Sequence, residues 1–500
     1  MVTATVLGSG MTALDGTVVG IALPSMGRDL HLAVSGLQWV TTGYLLTLSG
    51  FLLLGGALGD RLGRRRVFVV GAIWFAVASL LCGVAPNAGV LIAARALQGV
   101  GGALLMPESL AILQASFRER DRARAIGAWS GLGGAATAIG PFLGGVLITA
   151  VSWRLIFFIN LPVAALVVWI SMRHVPESLD PTVSGRLDVT GAALVTVGLG
   201  GITYALVQSP DSGWGSVPVL STLIIGAIAL TVFVLYERQT PHPMLLLSMF
   251  RSQQFTGANL ETFVVYAALA GALFLLPIQL QQVDRYTPLE SGIALLPLTL
   301  LLLLLSARSG ALATRIGPRL QMSVGPLAIG AAFLLLARVG PNTSYLVDVL
   351  PAVVIMGLGL AALVAPLTAT VLQAAPVEHA GVASAINNDV ARAAGLIAVA
   401  VLPAAAGITG TSYLHPLVFS AGFHTAMVIS ALVTASGGVI AFALIRDPAR
   451  RVRELAALPA SLTHASHCAL DAPPLGGRRT ADDGALRQPM LTATRPADKV

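Results

Sequence analysis

Six charged side chains stand inside stretches that are otherwise apolar: Asp15, Arg95, Glu108, Glu261, Asp389 and Arg392. A carboxylate in hydrocarbon costs about 2.5 kcal/mol or more unless it is protonated, paired or facing water. Such a group exchanges a proton or holds a cation. The plainer alternative for Asp15 is a helix-packing hydrogen bond inside one bundle. Arginine keeps its charge under almost any condition. Arg95 therefore needs an acid or water beside it, or it snorkels to the membrane surface. Asp389 and Arg392 are three residues apart on one helix face and could pair with each other. Glu261 shares its apolar run with Asn259 and Tyr266. No enzyme constellation accompanies these groups: the histidines are scattered singly, and no Gly-x-x-x-x-Gly-Lys loop is present to cradle ATP. The chain reads as a non-enzyme that needs no cofactor. Its energy must come from an ion gradient, here a proton gradient, or from the substrate's own gradient.

The elements that hold these groups are membrane spans. Of 500 residues, 55% are hydrophobic and 11% charged, with a mean hydropathy of +0.82; a soluble domain is about 25% charged. The sequence predicts an all-α membrane protein embedded in a lipid bilayer. A net charge of +7 is spread over loops as arginine, with lysine only at Lys499, so nucleic acid is not an expected partner. Cys82 lies in an apolar run and Cys468 in the tail, so no disulfide framework is implied. Residues 3–26 lack a basic leader and read as the first span and not a signal peptide.

Fourteen spans are expected, near 5–26, 37–59, 67–85, 89–114, 125–150, 155–172, 188–208, 217–236, 256–280, 289–312, 319–338, 346–373, 381–408 and 421–445. With the N-terminus inside, fourteen loop arginines face inward and four, Arg28, Arg154, Arg285 and Arg338, face outward. That bias places both termini in the cytoplasm. An internal echo supports the count: GALATRIGPR at 310–319 repeats GALGDRLGRR at 56–65, an offset of 310 − 56 = 254 residues. Eight spans of about 32 residues fit that offset, whereas two plain six-helix halves would place the echo nearer 190 residues. The predicted organisation is a six-helix bundle over 1–173, two additional helices over 174–243, a second six-helix bundle over 244–446, and a cytoplasmic tail over 447–500 whose composition reads as disordered.

The loop at 56–66 makes the reading specific. Gly56, Leu58, Asp60, Arg61, Gly63, Arg64, Arg65 and Arg66 resemble the helix 2–3 loop signature of the major facilitator superfamily. The stretch 14–24, LDGTVVGIALP, resembles the first-span signature of its fourteen-helix drug:proton antiporter branch, with Gly20 where that branch usually carries Asn. Arg95 to Gly99 resembles the fourth-span Arg-x-x-Gln-Gly signature. Gly140, Pro141, Gly144 and Gly145 resemble the antiporter signature Gly-Pro-x-x-Gly-Gly, and 152–162 resembles the turn between the fifth and sixth spans. Glu108 and Asp389 occupy positions that are usually small or apolar in the family.

The resemblance implies two six-helix bundles plus two extra helices, with substrate between the halves. It implies proton-coupled efflux of amphipathic small molecules across the cytoplasmic membrane. Asp15 would exchange the proton with Arg95 tuning it, or Glu261 or Asp389 would carry the proton while Asp15 recognises cations. Asp60 would latch onto the thirteenth span near Gly381. The second copy, with Thr314 in place of Asp60, would be an echo without a latch. A dedicated exporter of one metabolite or antibiotic, and a non-transporting sensor on the same fold, are the rival readings. A monomer is expected.

Overall fold

Glycine at 63 and at 317 sets the architecture, because both take a backbone that L side chains avoid. Gly63 has φ 107° and Gly317 φ 90°, and each ends one long helix and starts the next without a gap. Their separation, 317 − 63 = 254 residues, equals the sequence offset between the two echoes. The computed structural model describes residues 1–117, 119–179, 187–240, 243–341, 343–376 and 380–447. The tail expected to be disordered lies outside them from 448 on, as do Arg118 and Arg186.

Among the described residues fourteen helical spans are long and apolar enough to cross a bilayer, matching the expected number and order. The first half contains α1 (Val2–Asp29), α2 (Val34–Leu62), α3 (Arg64–Gly83), α4 (Ala88–Ser116), α5 (Glu119–Ala150), and one span broken into α6 (Leu155–Phe158) and α7 (Asn160–His174). Then come α8 (Val189–Ser212) and α9 (Val217–Gln239). The second half contains α10 (Gln253–Gln282), a span broken into α11 (Pro288–Ala294) and α12 (Leu296–Ile316), α13 (Pro318–Leu336), α14 (Leu350–Gln373), α15 (Ala380–Ala405) and α16 (Pro416–Leu444). The two breaks have one cause. Pro162 and Pro297 lack the N–H that would bond four residues back, so the ladder is interrupted there.

The halves repeat one packing scheme. In the first, α1 packs on α5 and α7, α2 on α4, and α3 on α4 and α7; in the second, α10 packs on α15 and α16, α12 on α14, and α13 on α14 and α16. The halves meet where α2 lies on α15 and α5 lies on α11 and α12. Lateral helices turn apolar stripes outward, as Val70, Ile73, Trp74, Val77 and Leu81 do along α3. The additional pair packs as a hairpin through small residues: a side chain on Gly201 would meet the Gly226 backbone. Its inner member, α8, lies on both α2 and α15, so the pair flanks one seam between the halves and does not separate them.

Hydrogen bonds across the seam are concentrated at one membrane face, the one carrying Arg28 and Arg154. There Val34 N–H donates to Gly410 O (2.8 Å), Gln38 Nε2 to Val399 O (2.7 Å), Gln281 Nε2 to Ile21 O (2.9 Å) and the Tyr413 hydroxyl to Leu32 O (2.7 Å). Burial pushes the Tyr413 phenol above its ordinary range, which keeps it a donor. Deeper in the membrane, a Cβ on Gly16 or Gly20 of α1, or on Gly131, Gly133 and Gly134 of α5, would meet nothing within 4 Å. The hydrogen bonds between the described halves are thus gathered mainly at one face, while these glycines of α1 and α5 border open space.

Candidate functional site

Asp15 sits midway along α1, and its carboxylate points into the first bundle. Arg95 Nη1 from α4 donates to its Oδ2 at 2.5 Å. Gln98, one turn further along α4, donates from Nε2 to Asp15 Oδ1 at 2.8 Å and accepts from Arg95 Nη1 at 2.6 Å. Asn160, at the start of α7, reaches Asp15 Oδ1 at 3.4 Å. Ser79 Oγ on α3 accepts from both Gln98 (2.8 Å) and Asn160 (3.1 Å). Arg95 Nε donates to the Val40 carbonyl on α2 at 3.1 Å, and its guanidinium lies 4.3 Å from the centroid of the Tyr44 ring. Four helices thus converge on one ion pair, and a fifth lends a carbonyl and a ring. Every member of the network is buried; Asp15 and Arg95 are each 1% exposed.

The local sequence makes this convergence possible. Gly99 lies against the Tyr44 carbonyl and Thr47, so α4 touches α2 at backbone distance beside Arg95. The broken sixth span brings Asn160 to a helix start at network depth. An ion pair at this burial is held by geometry as well as charge, since removing one partner strands the other in low dielectric. Sequence reasoning singled out Asp15 and Arg95; it quoted Gln98 and Asn160 within motifs without giving them a role, and it missed Ser79 and Tyr44. Nothing in local spacing marks a serine on a third helix as a partner.

The remaining acids have different surroundings. Glu108 on α4 is fully buried with both carboxyl oxygens lacking a hydrogen-bond partner, packed against the bare Cα of Gly59 on α2. Glu261 on α10 is fully buried with both oxygens likewise unpartnered. Beside it, Asn387 Nδ2 of α15 donates to Asn259 Oδ1 (3.1 Å) and Thr262 Oγ1 (2.8 Å). Asp389 and Arg392 form no ion pair with each other. Asp389 has one buried, unpartnered oxygen, and Arg392 Nη2 instead crosses the seam to the Met106 sulfur at 3.1 Å. A polar cavity of about 200 Å³ lies between α10, α14 and α15, lined by Tyr266, Thr368, Ser384, Asn387 and Asn388 among others. No cluster of three or more metal-binding side chains occurs among the described residues.

The Arg-rich loop is bound within its own half. Asp60 Oδ1 accepts from Arg64 Nη2 (2.7 Å) and Nε (2.9 Å). Glu177, just past α7, accepts from the Arg65 N–H at 3.0 Å and lies 3.6 Å from both the Arg65 and Arg66 guanidiniums. The second half repeats the device: Asp447, just past α16, accepts from the Arg319 N–H at 3.2 Å. Asp60 is thus held by Arg64. Residues 377–379, just before the expected latch partner near Gly381, lie outside the described set. Thr314 donates to its own helix at Ala311 O.

The antiporter-type glycines occupy two seams at once. Side chains on Gly140 and Gly144 would run into Thr17 and Val18 of α1. One on Gly145 would meet Pro288 O and Leu289 Cα of the second half at 2.7 Å, and one on Gly292 would meet the Pro141 backbone. Close approach of α5 to both halves depends on these missing side chains.

Two pseudo-equivalent helical bundles, hydrogen-bonded to each other mainly at one face and with charged groups in their interior, define a secondary membrane transporter. The chain belongs to the Major Facilitator Superfamily, which it matches over residues 5–400. It is 36% identical over 386 residues to the multidrug resistance protein Stp of Mycobacterium tuberculosis, covering 77% of this chain and 71% of that protein. It is 37% identical over 399 residues to the puromycin resistance protein pur8 of Streptomyces alboniger, covering 78% of each. In fold it is similar to a POT family transporter solved with 5-aminolevulinic acid, with a TM-score of 0.66 and 14% identity over 88% of this chain and 94% of that one.

Proposed function

We propose that the chain exports amphipathic small molecules across the cytoplasmic membrane in exchange for protons, with both termini in the cytoplasm. The resistance named for its relatives supports export. The observation that carries the proton half of this reading is the saturated, buried Asp15–Arg95 pair at the junction of α1, α3, α4 and α7. A proton arriving on Asp15 removes the charge that Arg95 faces. Arg95 must then find another partner or water, and the four helices that meet there must shift. Proton binding is thereby tied to helix packing beside the open, glycine-lined face of α1. Glu261 and Asp389 are the alternative proton carriers in the second half.

The test is substrate-induced proton release by purified protein. Release vanishes in Asp15→Asn and survives, weakened, in Asp15→Glu. If Asp15→Asn still releases protons on binding a neutral substrate, coupling belongs to Glu261 or Asp389. A second reading, export of one dedicated compound, is favoured by the relative named for puromycin alone. Susceptibility of expressing cells across a panel of cationic and neutral antibiotics separates the two: a broad shift supports multidrug export, and a shift for one compound supports the dedicated role.

A further inference from the structure

The two oxygens of Asp15 differ in what they can still accept. Arg95 carries only donors, so the Gln98 atom 2.6 Å from its Nη1 is Oε1. The Gln98 amide is thereby fixed with Nε2 towards α1 and α3. One of its hydrogens goes to Asp15 Oδ1 at 2.8 Å and the other to Ser79 Oγ at 2.8 Å. Asn160 repeats the pattern from α7: Nδ2 donates to Asp15 Oδ1 at 3.4 Å and to Ser79 Oγ at 3.1 Å. Two amides thus bridge the same two oxygens, and all four of their N–H bonds are used. Oδ1 receives two donors, one for each of its lone pairs, while Oδ2 receives Arg95. Gln98, Ser79 and Asn160 are as deeply buried as the ion pair. Arg95 from α4, Tyr44 from α2 and Cys82 from α3 are the titratable groups that act on Asp15, and α7 brings the uncharged Asn160.

We propose that Asn160 and Ser79 are positioning residues that, through the Gln98 amide, direct the incoming proton to Oδ2 of Asp15. The inference rests on Asp15 being the proton site. A proton on Oδ1 would point at two amide hydrogens, so that oxygen is closed to it. The proton adds to a lone pair of Oδ2, the oxygen that Arg95 holds. Arg95 then faces a hydroxyl, whose oxygen is a poor acceptor and whose hydrogen repels the guanidinium. The charge-assisted bond is lost. A proton on Oδ1 would have the opposite result. Oδ2 would become a carbonyl oxygen, and Arg95 would keep its bond to a neutral acid. The two amides therefore turn proton binding into loss of the Arg95 bond, the event that lets the helices shift. Ser79 has its own part in this. By accepting from both amides it keeps their N–H groups turned towards Oδ1, and it ties α3 into the same unit.

Infrared difference spectra of the purified full chain between high and low pH read the C=O stretch of protonated Asp15, assigned as the band lost in Asp15→Asn and displaced in Asp15→Glu. With Oδ1 as a carbonyl that accepts two N–H donors, the band should lie at low wavenumber. Asn160→Leu keeps the volume and removes one donor, and should move the band up. Ser79→Ala frees both amides without touching Asp15, and should move it up by less. Spin labels at His31 and Thr411, one on each half, report the conformational response to the same pH step. In Asn160→Leu the proton can settle on Oδ1, so the band should still appear while the distance response is largely lost. The proposal is overturned if the band stays in place in both variants, or if Asn160→Leu responds as wild type does. A lost response with an unmoved band would show a packing role only and overturns it too. A wild-type spectrum with no band that Asp15→Asn removes would instead show that Asp15 takes no proton, which overturns the proton reading itself and this inference with it.

Discussion

Arg95 donates to Asp15 over 2.5 Å between two helices that are 80 residues apart in sequence, and each side chain is 1% exposed. Neither charge could be kept there alone. The pair is completed by amides from Gln98 and Asn160, so the carboxylate's lone pairs and the guanidinium's donors are used together. Such a network behaves as a unit.

Breaking it from one side should therefore cost more than dissolving it. Asp15→Asn leaves Arg95 buried with only neutral acceptors and should destabilise the protein by about 3–5 kcal/mol. Asp15→Asn combined with Arg95→Gln should cost clearly less than the sum of the two single changes. Thermal unfolding of all three variants in detergent gives the cycle. Additive losses would show that the two residues are independent and would remove the basis for coupling through their separation.

Backbone demands at the two repeat turns can be separated from charge. Gly63→Ala and Gly317→Ala each force a side chain into a glycine-only backbone and should cost about 1–3 kcal/mol. Gly16→Ala, in a helix with open space beside it, should be neutral or slightly stabilising. Asp60→Asn should cost at most about 1 kcal/mol, because its partner Arg64 is a near-surface pair. If Asp60→Asn also leaves the accessibility of cysteines placed on the Arg-rich side unchanged during turnover, Asp60 is no latch.

The spans were legible because each is a run of about twenty apolar residues, and hydrocarbon permits little besides a helix there. The repeat was legible because Gly63 and Gly317 need the same backbone and sit in the same motif. Asp15 and Arg95 stood out because charge in an apolar run is conspicuous. Ser79 did not, since a serine in a span more often bonds its own helix, as Thr12 and Thr17 do. Glu177 and Asp447 were also unreadable: each is an ordinary acid just past a helix, and only folding brings it to a turn more than a hundred residues earlier. The placement of α8 and α9 beside the α2–α15 seam had no local signal either. Hydropathy fixes that they span the membrane and says nothing about where they stand in it.

The arginine distribution predicts a definite topology. Reporter fusions after Ser178 and after Thr240 should report the cytoplasm, and a fusion at Ser212, the turn between α8 and α9, the exterior. A cytoplasmic signal at Ser212 would show that the hairpin does not cross in the living membrane.

Gly145 offers the sharpest perturbation of the closed face. A side chain there meets backbone atoms of Pro288 and Leu289, which cannot rotate away as a flexible side chain could. Gly145→Val must push α5 from α11, and the overpacking should cost about 1–3 kcal/mol in the conformation seen here. A conformation in which the halves part at this face carries no such penalty. The substitution should therefore shift the population towards opening by about 5- to 150-fold. Spin labels at His31 and Thr411, one on each half near the Tyr413–Leu32 bond, report that opening as a longer distance by pulsed electron resonance. Gly145→Ala should give a smaller shift in the same direction. Unchanged distances in Gly145→Val, with folding intact, would mean that α5 and α11 do not separate in transport, and the role of the Gly-Pro-x-x-Gly-Gly element would then lie in its packing on α1 through Gly140 and Gly144.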